Sequence, residues 1–553
     1  MVSVKSEEET VDEVIREFEA RARGRSLFEG FWYDIAELVE PNFRNVFRLE
    51  NGNTPGERKT DRQLDSTPTI ALSRFTSIMD SILTPRNQVW HTLKPDNEEL
   101  LRDREIALYF QKVNERLFAL RYAPSANFAS QNNLVFRGLG AFGTAALFID
   151  RLTMGRGLRY RYIHVGLIYA KENHQGVVDD IIRRDTMTAT QLTQVPNWRD
   201  KLPKVVLDAA GDVQNRNKEF TVLHLVRPRQ SVDYDALDET ALPYESVYVL
   251  KDTRTILETG GYRSFPYAFS RYDQAPGEVY GRSPAMQCWS AIKTLMVEKR
   301  IILEQGHRAA RPVLLVSDDG VASNVSLRPG SSVVGGVNAD GRALVQALPA
   351  GDPVIAREMF QEERDIINDA FLVSLFSMLQ ENPRMTATEV IERSRQQALL
   401  LAPTTGRQHS EYLGPLIDRE YTLATALGLL PPIPEALAGE EYKVTYNNPL
   451  FQTAMQDQSA GIGRTLNTII PLIQVTGDPT ALDAIDTDEA FRVVAAAQGV
   501  PASIMRSAED VAAIRQQRAD AQEAAQAQQN APALLQGVAA AKKAGVQPED
   551  LGE

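Results

Sequence analysis

Residues 271–308 read RYDQAPGEVYGRSPAMQCWSAIKTLMVEKRIILEQGHR, and the architecture turns on this stretch. Pro284 stands where a helix tolerates proline, at its first turn. Beyond it Trp289, Ile292, Met296 and Leu303 fall on one helical stripe. The pattern predicts a helix over about 285–308, roughly 36 Å long at 1.5 Å per residue. Downstream, residues 309–353 carry short apolar runs at 313–316, 324–327, 332–334 and 343–348. Gly320, Pro329-Gly330, Gly335-Gly336, Asn338 and Gly351 punctuate them. That is the signature of a small β-rich insertion. A second helix, about 354–380 and near 40 Å by the same rise, returns the chain. Residues 380–384 break it at Pro383, and a helix restarts over 385–401.

Two long helices therefore flank a compact β module of about 40 residues. The first carries Lys293, Lys299, Arg300 and Arg308 against Glu298 and Glu304. The second carries Arg357 and Arg364 against Glu358, Glu362, Glu363, Asp365 and Asp369. This opposite bias pairs helices within or between chains, or simply describes two solvated faces, since an exposed ion pair contributes only ~0–1 kcal/mol.

Upstream, residues 144–272 read as strands at 145–149, 159–165, 177–183, 220–227 and 244–251, several with apolar–polar alternation. The first 120 residues read as mostly helical, with one apolar-periodic run from Glu13 to Val39 that Pro41 stops. A helix starts at Ser66-Thr67-Pro68, a third covers about 98–119, and a fourth begins near Ala126. The C-terminal part is helical again, and from Ala508 to Ala544 it is mostly Ala and Gln. The expected fold class is α+β and mainly helical.

Composition agrees with a folded chain. It has 553 residues, 43% of them hydrophobic and 24% charged, which excludes a disordered, collagen-like or disulfide-rich protein. The single cysteine, Cys288, forms no internal disulfide and supports no Cys-rich zinc site. It reads as a small core hydrophobe beside Trp289. No apolar run reaches the ~20 residues a membrane helix needs, and the N-terminus lacks the charged-then-apolar order of a signal peptide. The net charge of −13 opposes a protein that coats nucleic acid.

Catalytic motifs are scarce. Gly138-Leu139-Gly140-Ala141-Phe142-Gly143 matches GxGxxG, but a helical segment precedes it and a strand follows. A dinucleotide fingerprint needs the reverse order, so a helix-to-strand turn is the better reading. There is no P-loop, H-E-x-x-H or G-x-S-x-G. The six histidines are scattered without metal-ligand spacing.

Four stretches carry a family likeness. They are Leu64 to Leu93 with Asp65-Ser66-Thr67, Leu83-Thr84-Pro85 and Trp90; GTAALFID at 143–150; the PGEVYGRSP stretch at 276–284 with Tyr272; and Met385-Thr386-Ala387-Thr388-Glu389-Val390. In these the chain resembles the portal protein (head-to-tail connector) family of short-tailed bacteriophages. The resemblance implies a ring, usually of twelve copies, at one capsid vertex of the virion, with assembly in the host cytoplasm. It divides the chain into a wing (1–280 and 387–450), stem helices (281–308 and 354–380), a clip (309–353), a tunnel loop (381–386) and a crown with tail (451–553). It implies no enzyme activity and no cofactor. Double-stranded DNA passes through the channel, a packaging ATPase (terminase) docks and gives way to tail adaptors, and scaffolding and major capsid proteins surround the ring. Asn382, Arg384 and Met385 are the residues expected near DNA, with Arg384 offering one phosphate contact or else capping the restarted helix. Arg328 and Arg342 of the clip face DNA or the adaptor, or are solvated turn positions. The competing readings are another capsid component, scaffold or shell, and a nucleotide-binding enzyme using Gly138 to Gly143.

Overall fold

The computed structural model describes residues 6–47, 57, 59–152, 155–232, 241–311, 313–316, 337, 340–348, 353–377, 400–437, 439, 441–446, 461–463, 465, 467, 471, 486–497, 500, 504–506 and 510–525. The chain begins with helices α1 (Glu7–Gly24), α2 (Ser26–Leu38) and α3 (Thr67–Leu83), strand β1 (His91–Pro95), and helices α4 (Arg104–Arg121) and α5 (Phe128–Phe142). Strands β2 (Thr144–Arg151), β3 (Leu158–Ile163), β4 (Ile168–Glu172) and β5 (Val178–Thr188) follow, then short helices α6 (Ala189–Gln194) and α7 (Lys204–Gly211). Next come β6 (Glu219–Pro228), β7 (Tyr244–Leu250), β8 (Thr255–Tyr262) and β9 (Tyr267–Arg271), and helices α8 (Pro284–Gln287) and α9 (Trp289–Ala310). Strands β10 (Leu314–Val316) and β11 (Val345–Ala347), helices α10 (Pro353–Ala370), α11 (Val373–Ser377) and α12 (Gly414–Ala426), β12 (Tyr442–Tyr446) and α13 (Thr487–Ala497) complete the order. The class is α+β. Among the described residues no helix is long and apolar enough to cross a membrane.

Contacts divide the chain into two units. The larger holds residues 1–90, 117–429 and 448–450. Its five-stranded antiparallel sheet runs β4-β5-β6-β7-β8, and a three-stranded antiparallel sheet runs β3-β2-β9. Strand β6 shows why the central run is apolar almost throughout: both faces are covered. Leu223 and Leu225 meet Val11, Val14, Ile15 and Phe18 of α1, whereas Phe220 and Val222 meet Leu192 of α6 and Val206 of α7. Each such side chain, fully buried, stabilises by about 1.5–3 kcal/mol.

The run read as one helix from Glu13 to Val39 is two helices. Arg25 leaves helical geometry at φ −103°, ψ 5° because its guanidinium is buried and donates to the carbonyls of Val165, Gly166 and Ile168. Ser66 occupies the position before α3, but its side chain makes no cap bond. The carboxylate of Asp65 accepts from the Thr67 N–H at 2.9 Å instead. Strands β1, β4, β8, β9 and β12 escaped the sequence reading because they are short or lack alternation, β12 lying where the chain reads as helical; β9 is buried at all five positions.

The two glycine-rich motifs meet each other. Gly143 closes α5 at φ +74°, and an added Cβ would lie 2.4 Å from the Gly281 carbonyl oxygen. A Cβ on Gly281 would lie 2.3 Å from the Gly143 oxygen. Two backbones thus cross in contact. The crossing is pinned by Tyr272 N–H to Gly143 O (2.9 Å), Gly281 N–H to Thr144 Oγ1 (2.8 Å) and Ser283 Oγ to Ala141 O (2.8 Å). Ser283 also accepts from Met286 N–H at 3.0 Å, capping the helix that leads into α9.

The smaller unit holds residues 91–116, 430–447 and 451–553. Strands β1 and β12 pair antiparallel, His91 with Tyr446 through Pro95 with Tyr442. The Asn114 side chain bonds both N–H and C=O of Leu93, doing for that strand edge what a neighbouring strand would. Helix α13 is joined to the helix at 510–525 by a two-pronged Arg515–Asp488 pair, both contacts 2.7 Å.

Gly143→Ala should lower stability by about 2–5 kcal/mol, combining left-handed strain with steric overlap. Gly277→Ala, also at positive φ (+80°) but with open space around it, should lose only the strain component, about 1–2 kcal/mol. Urea unfolding of the two variants distinguishes them. A second expectation concerns acid. His164 sits 5.0 Å from the rings of Phe43, Phe47 and Phe142, and burial followed by the Arg25 charge holds its pKa at about 3. His224, buried between Tyr267 Oη (3.1 Å) and Ser246 Oγ (3.0 Å), is lowered by burial and then by Arg183. Both folded values lie below the unfolded one, so this stability is complete above about pH 6.5 and is lost as pH falls toward the folded values. Unfolding free energy should decline by up to about 1.4 kcal/mol per pH unit per histidine between pH 6.5 and 5, and His164→Gln should remove its share of that slope.

Candidate functional site

Helices α9 and α10 pack together, and their opposite charge bias left ion pairing or two solvated faces as readings. The contacts are of another kind. Among the described residues no ion pair joins the two helices. Lys299 Nζ lies 5.0 Å from the Phe360 ring centroid and the Arg364 guanidinium 4.2 Å from it, so Phe360 meets one cation from α9 and one from its own helix. Arg364 then bonds Asp65 at 2.8 Å, tying α10 to the start of α3. The Asp65 carboxyl sits below its usual pKa: burial opposes the charge, but bonds from Thr67 and Arg364 outweigh it. Glu298 faces Glu363 and Glu362, and burial and these like charges raise its pKa.

Burial divides α9 along its length. Its first turns are buried through Ala291, Ile292, Leu295 and Met296, with Trp289 edge-on to Phe31 at 5.8 Å. Cys288, just before it, is buried and its thiol is pushed up to about 12 by burial, leaving it an inert core group. Beyond Met296 the helix is largely uncovered, and Val297, Ile301 and Leu303 are 56%, 46% and 44% exposed. On α10 Met359 and Ile366, two turns apart, are 52% and 44% exposed. Strands β10 and β11 pair antiparallel between these helices, Leu314 with Ala347 through Val316 with Val345.

The root of this element is locked by Arg271, which is 4% exposed. Its Nε and Nη2 donate to the two oxygens of Glu411 at 3.0 and 2.9 Å, and Nη1 donates to Glu172. Burial opposes the charge, and Glu411 and Glu172 outweigh it, so the guanidinium is held above its usual value. Gln408 donates to the Arg271 carbonyl at 2.7 Å. Tyr280, edge-on to Trp32 at 5.2 Å, places its hydroxyl between Ala170 N–H (3.1 Å) and Ile168 O (3.2 Å). Two further staples secure the returning helix α12. Arg121 is fully buried against Glu420, which also accepts from Tyr160 Oη at 2.7 Å, and Arg419 reaches Ile149 O and Ser264 O.

Of the residues singled out from sequence, Arg342 is exposed beside the Val337–Ala343 bridge, following Gly341 at φ +77°. Asn382, Arg384, Met385 and Arg328 lie outside the described residues. Sequence reasoning missed the Arg271–Glu172–Glu411 cluster and the separate Arg364–Asp65 pair. The one available signal was an arginine closing the apolar strand YAFSR inside the most distinctive stretch.

Gly138 to Gly143 form the C-terminal end of α5 and its left-handed cap. That end presents carbonyl oxygens and the negative pole of the helix dipole, the wrong sign for a nucleotide phosphate. The helix-to-strand turn is what the motif builds.

Comparison with known proteins agrees with a structural part. The portal protein of Salmonella phage epsilon15 is 27% identical over 526 residues, 93% of this chain and 92% of its own length. The probable portal protein of Bordetella phage BPP-1 is 28% identical over 538 residues, 94% of this chain and 93% of its own. Residues 11–505 match the family described as bacteriophage head to tail connecting protein. With a match over nearly its whole length, the chain belongs to the bacteriophage head-to-tail connecting protein family.

Proposed function

We propose that the chain closes into a ring, of twelve copies, at one vertex of the capsid, and conducts double-stranded DNA during packaging and ejection without catalysing a reaction. The observation that carries the ring is the uncovered apolar set on α9 and α10. A lone chain leaves Val297, Ile301, Leu303, Met359 and Ile366 in water, whereas a cyclic neighbour buries them. In this reading residues 1–280 and 387–450 are the wing, 281–308 and 354–380 the stem, 309–353 the clip, 381–386 the tunnel loop and 451–553 the crown with its tail. Asn382, Arg384 and Met385 face the channel, and Arg328 and Arg342 face DNA or an adaptor at the clip. A packaging ATPase (terminase) docks there first and tail adaptors replace it, with scaffolding and major capsid proteins around the ring.

The net charge of −13 suits a conduit. An acidic wall repels the phosphate backbone on average, and a few arginines per subunit suffice for contact without stalling the DNA.

Light scattering should give a particle of about 740 kDa for twelve copies of the 61.5 kDa chain, and negative-stain images should show twelve-fold rings with a central hole. Shell-like or irregular particles would favour another capsid component. Ile301→Asp should shift the population toward monomer while leaving unfolding free energy within about 0.5 kcal/mol, since the side chain is exposed in the single chain. A ring population unchanged by Ile301→Asp and Val297→Asp together would remove this apolar set from the interface.

A further inference from the structure

A cleft of about 410 Å³ opens between α1, the loop after α2 and the five-stranded sheet. Arg23, Arg184 and Lys251 line it, over an aromatic floor of Phe18 and Tyr169. The floor keeps the cations within reach of one another. Lys251 Nζ lies 4.9 Å from the Phe18 ring, Phe18 is 4.6 Å from Tyr169, and the Arg184 guanidinium is 6.0 Å from Tyr169. Beneath them Arg25 stacks on Tyr169 at 3.5 Å.

The acids nearby do not balance this charge. Glu29 is bonded to Arg25 at 2.8 Å, and Glu19 is exposed at the rim. Arg184 Nε is buried without a hydrogen-bond partner. Burial and then the Arg25 charge lower the Arg184 pKa despite help from Tyr169 and Glu29, the mark of a cation held where no carboxylate is dedicated to it. Elsewhere in this acidic chain the buried arginines Arg121 and Arg271 each have a carboxylate of their own. A concave site with surplus positive charge, a buried unused donor and flexible Lys and Arg heads at its mouth matches a compact, multiply charged oxyanion.

We propose that this cleft binds a small free oxyanion of the phosphate class, inorganic phosphate or pyrophosphate, held by Arg184, Lys251 and Arg23. Isothermal titration of the full chain, in chloride buffer at matched ionic strength, tests it. Phosphate and pyrophosphate should bind saturably at one site per chain. Arg184→Gln and Lys251→Gln should each raise Kd about tenfold or more, the loss of one charge-assisted hydrogen bond. Arg74→Gln, an exposed arginine of a different groove, should leave Kd unchanged. If Arg184→Gln does not fold, Lys251→Gln and Arg23→Gln carry the same comparison. Equal binding by these variants and the parent, or a response that never saturates and follows ionic strength alone, would overturn the proposal.

Discussion

The crossing of Gly143 over Gly281 is the constraint on which the arrangement rests. It is the point where the end of α5, the first strand of the small sheet and the turn into α9 share one space. No side chain fits there, so the two backbones approach until carbonyl oxygens meet where Cβ atoms would be. That fixes where α9 begins, and the cap from Ser283 with the buried turns up to Met296 fixes its direction. Arg271 holds the same corner from the other side by gathering two carboxylates from distant parts of the chain. A buried cation so paired is weak evidence for net stability, because desolvation offsets most of the attraction. Its value lies in specificity: only one arrangement of β9, β4 and residues 408–411 satisfies every donor.

The same device recurs. Arg25, Arg121, Arg364 and Arg419 each join segments far apart in sequence through carbonyls or carboxylates. Arg121 and Glu420 are buried together, so that pair leaves the charge of the exterior unchanged. The cation-rich cleft beside α1 stands out against that background because its charges lack such partners.

Much of the scaffold was legible in the sequence. The periodicity of Trp289, Ile292 and Met296 marks a helix whose buried face is set by those residues, and the apolar runs at 220–227 and 244–251 mark strands covered on both faces. The GxGxxG reading held because order along the chain, helix before strand, carries the electrostatics with it. What escaped was set by long-range partners. Arg25 splits a run that looks continuous because its carbonyl acceptors are more than a hundred residues away. Asp65 replaces Ser66 as the working cap because Arg364 holds its other oxygen. The charge bias of α9 and α10 left pairing or two solvated faces as readings, whereas the contact that joins them sets Lys299 over the Phe360 ring, which no charge count contains. The candidate site was legible only as a pair of long helices of opposite charge bias, and the apolar surface they leave uncovered shows in the structure. The residues expected near DNA draw on resemblance and lie outside the described structure, apart from Arg342.

The claim that matters most is that α9 and α10 leave apolar surface for a neighbouring copy to cover. Cryo-electron microscopy of the assembled particle measures this directly. Side-chain atoms of Val297, Ile301 and Leu303 should lie within about 4.5 Å of the adjacent subunit around a closed ring. A ring in which these side chains face solvent, with neighbours meeting only through other surfaces, would contradict it.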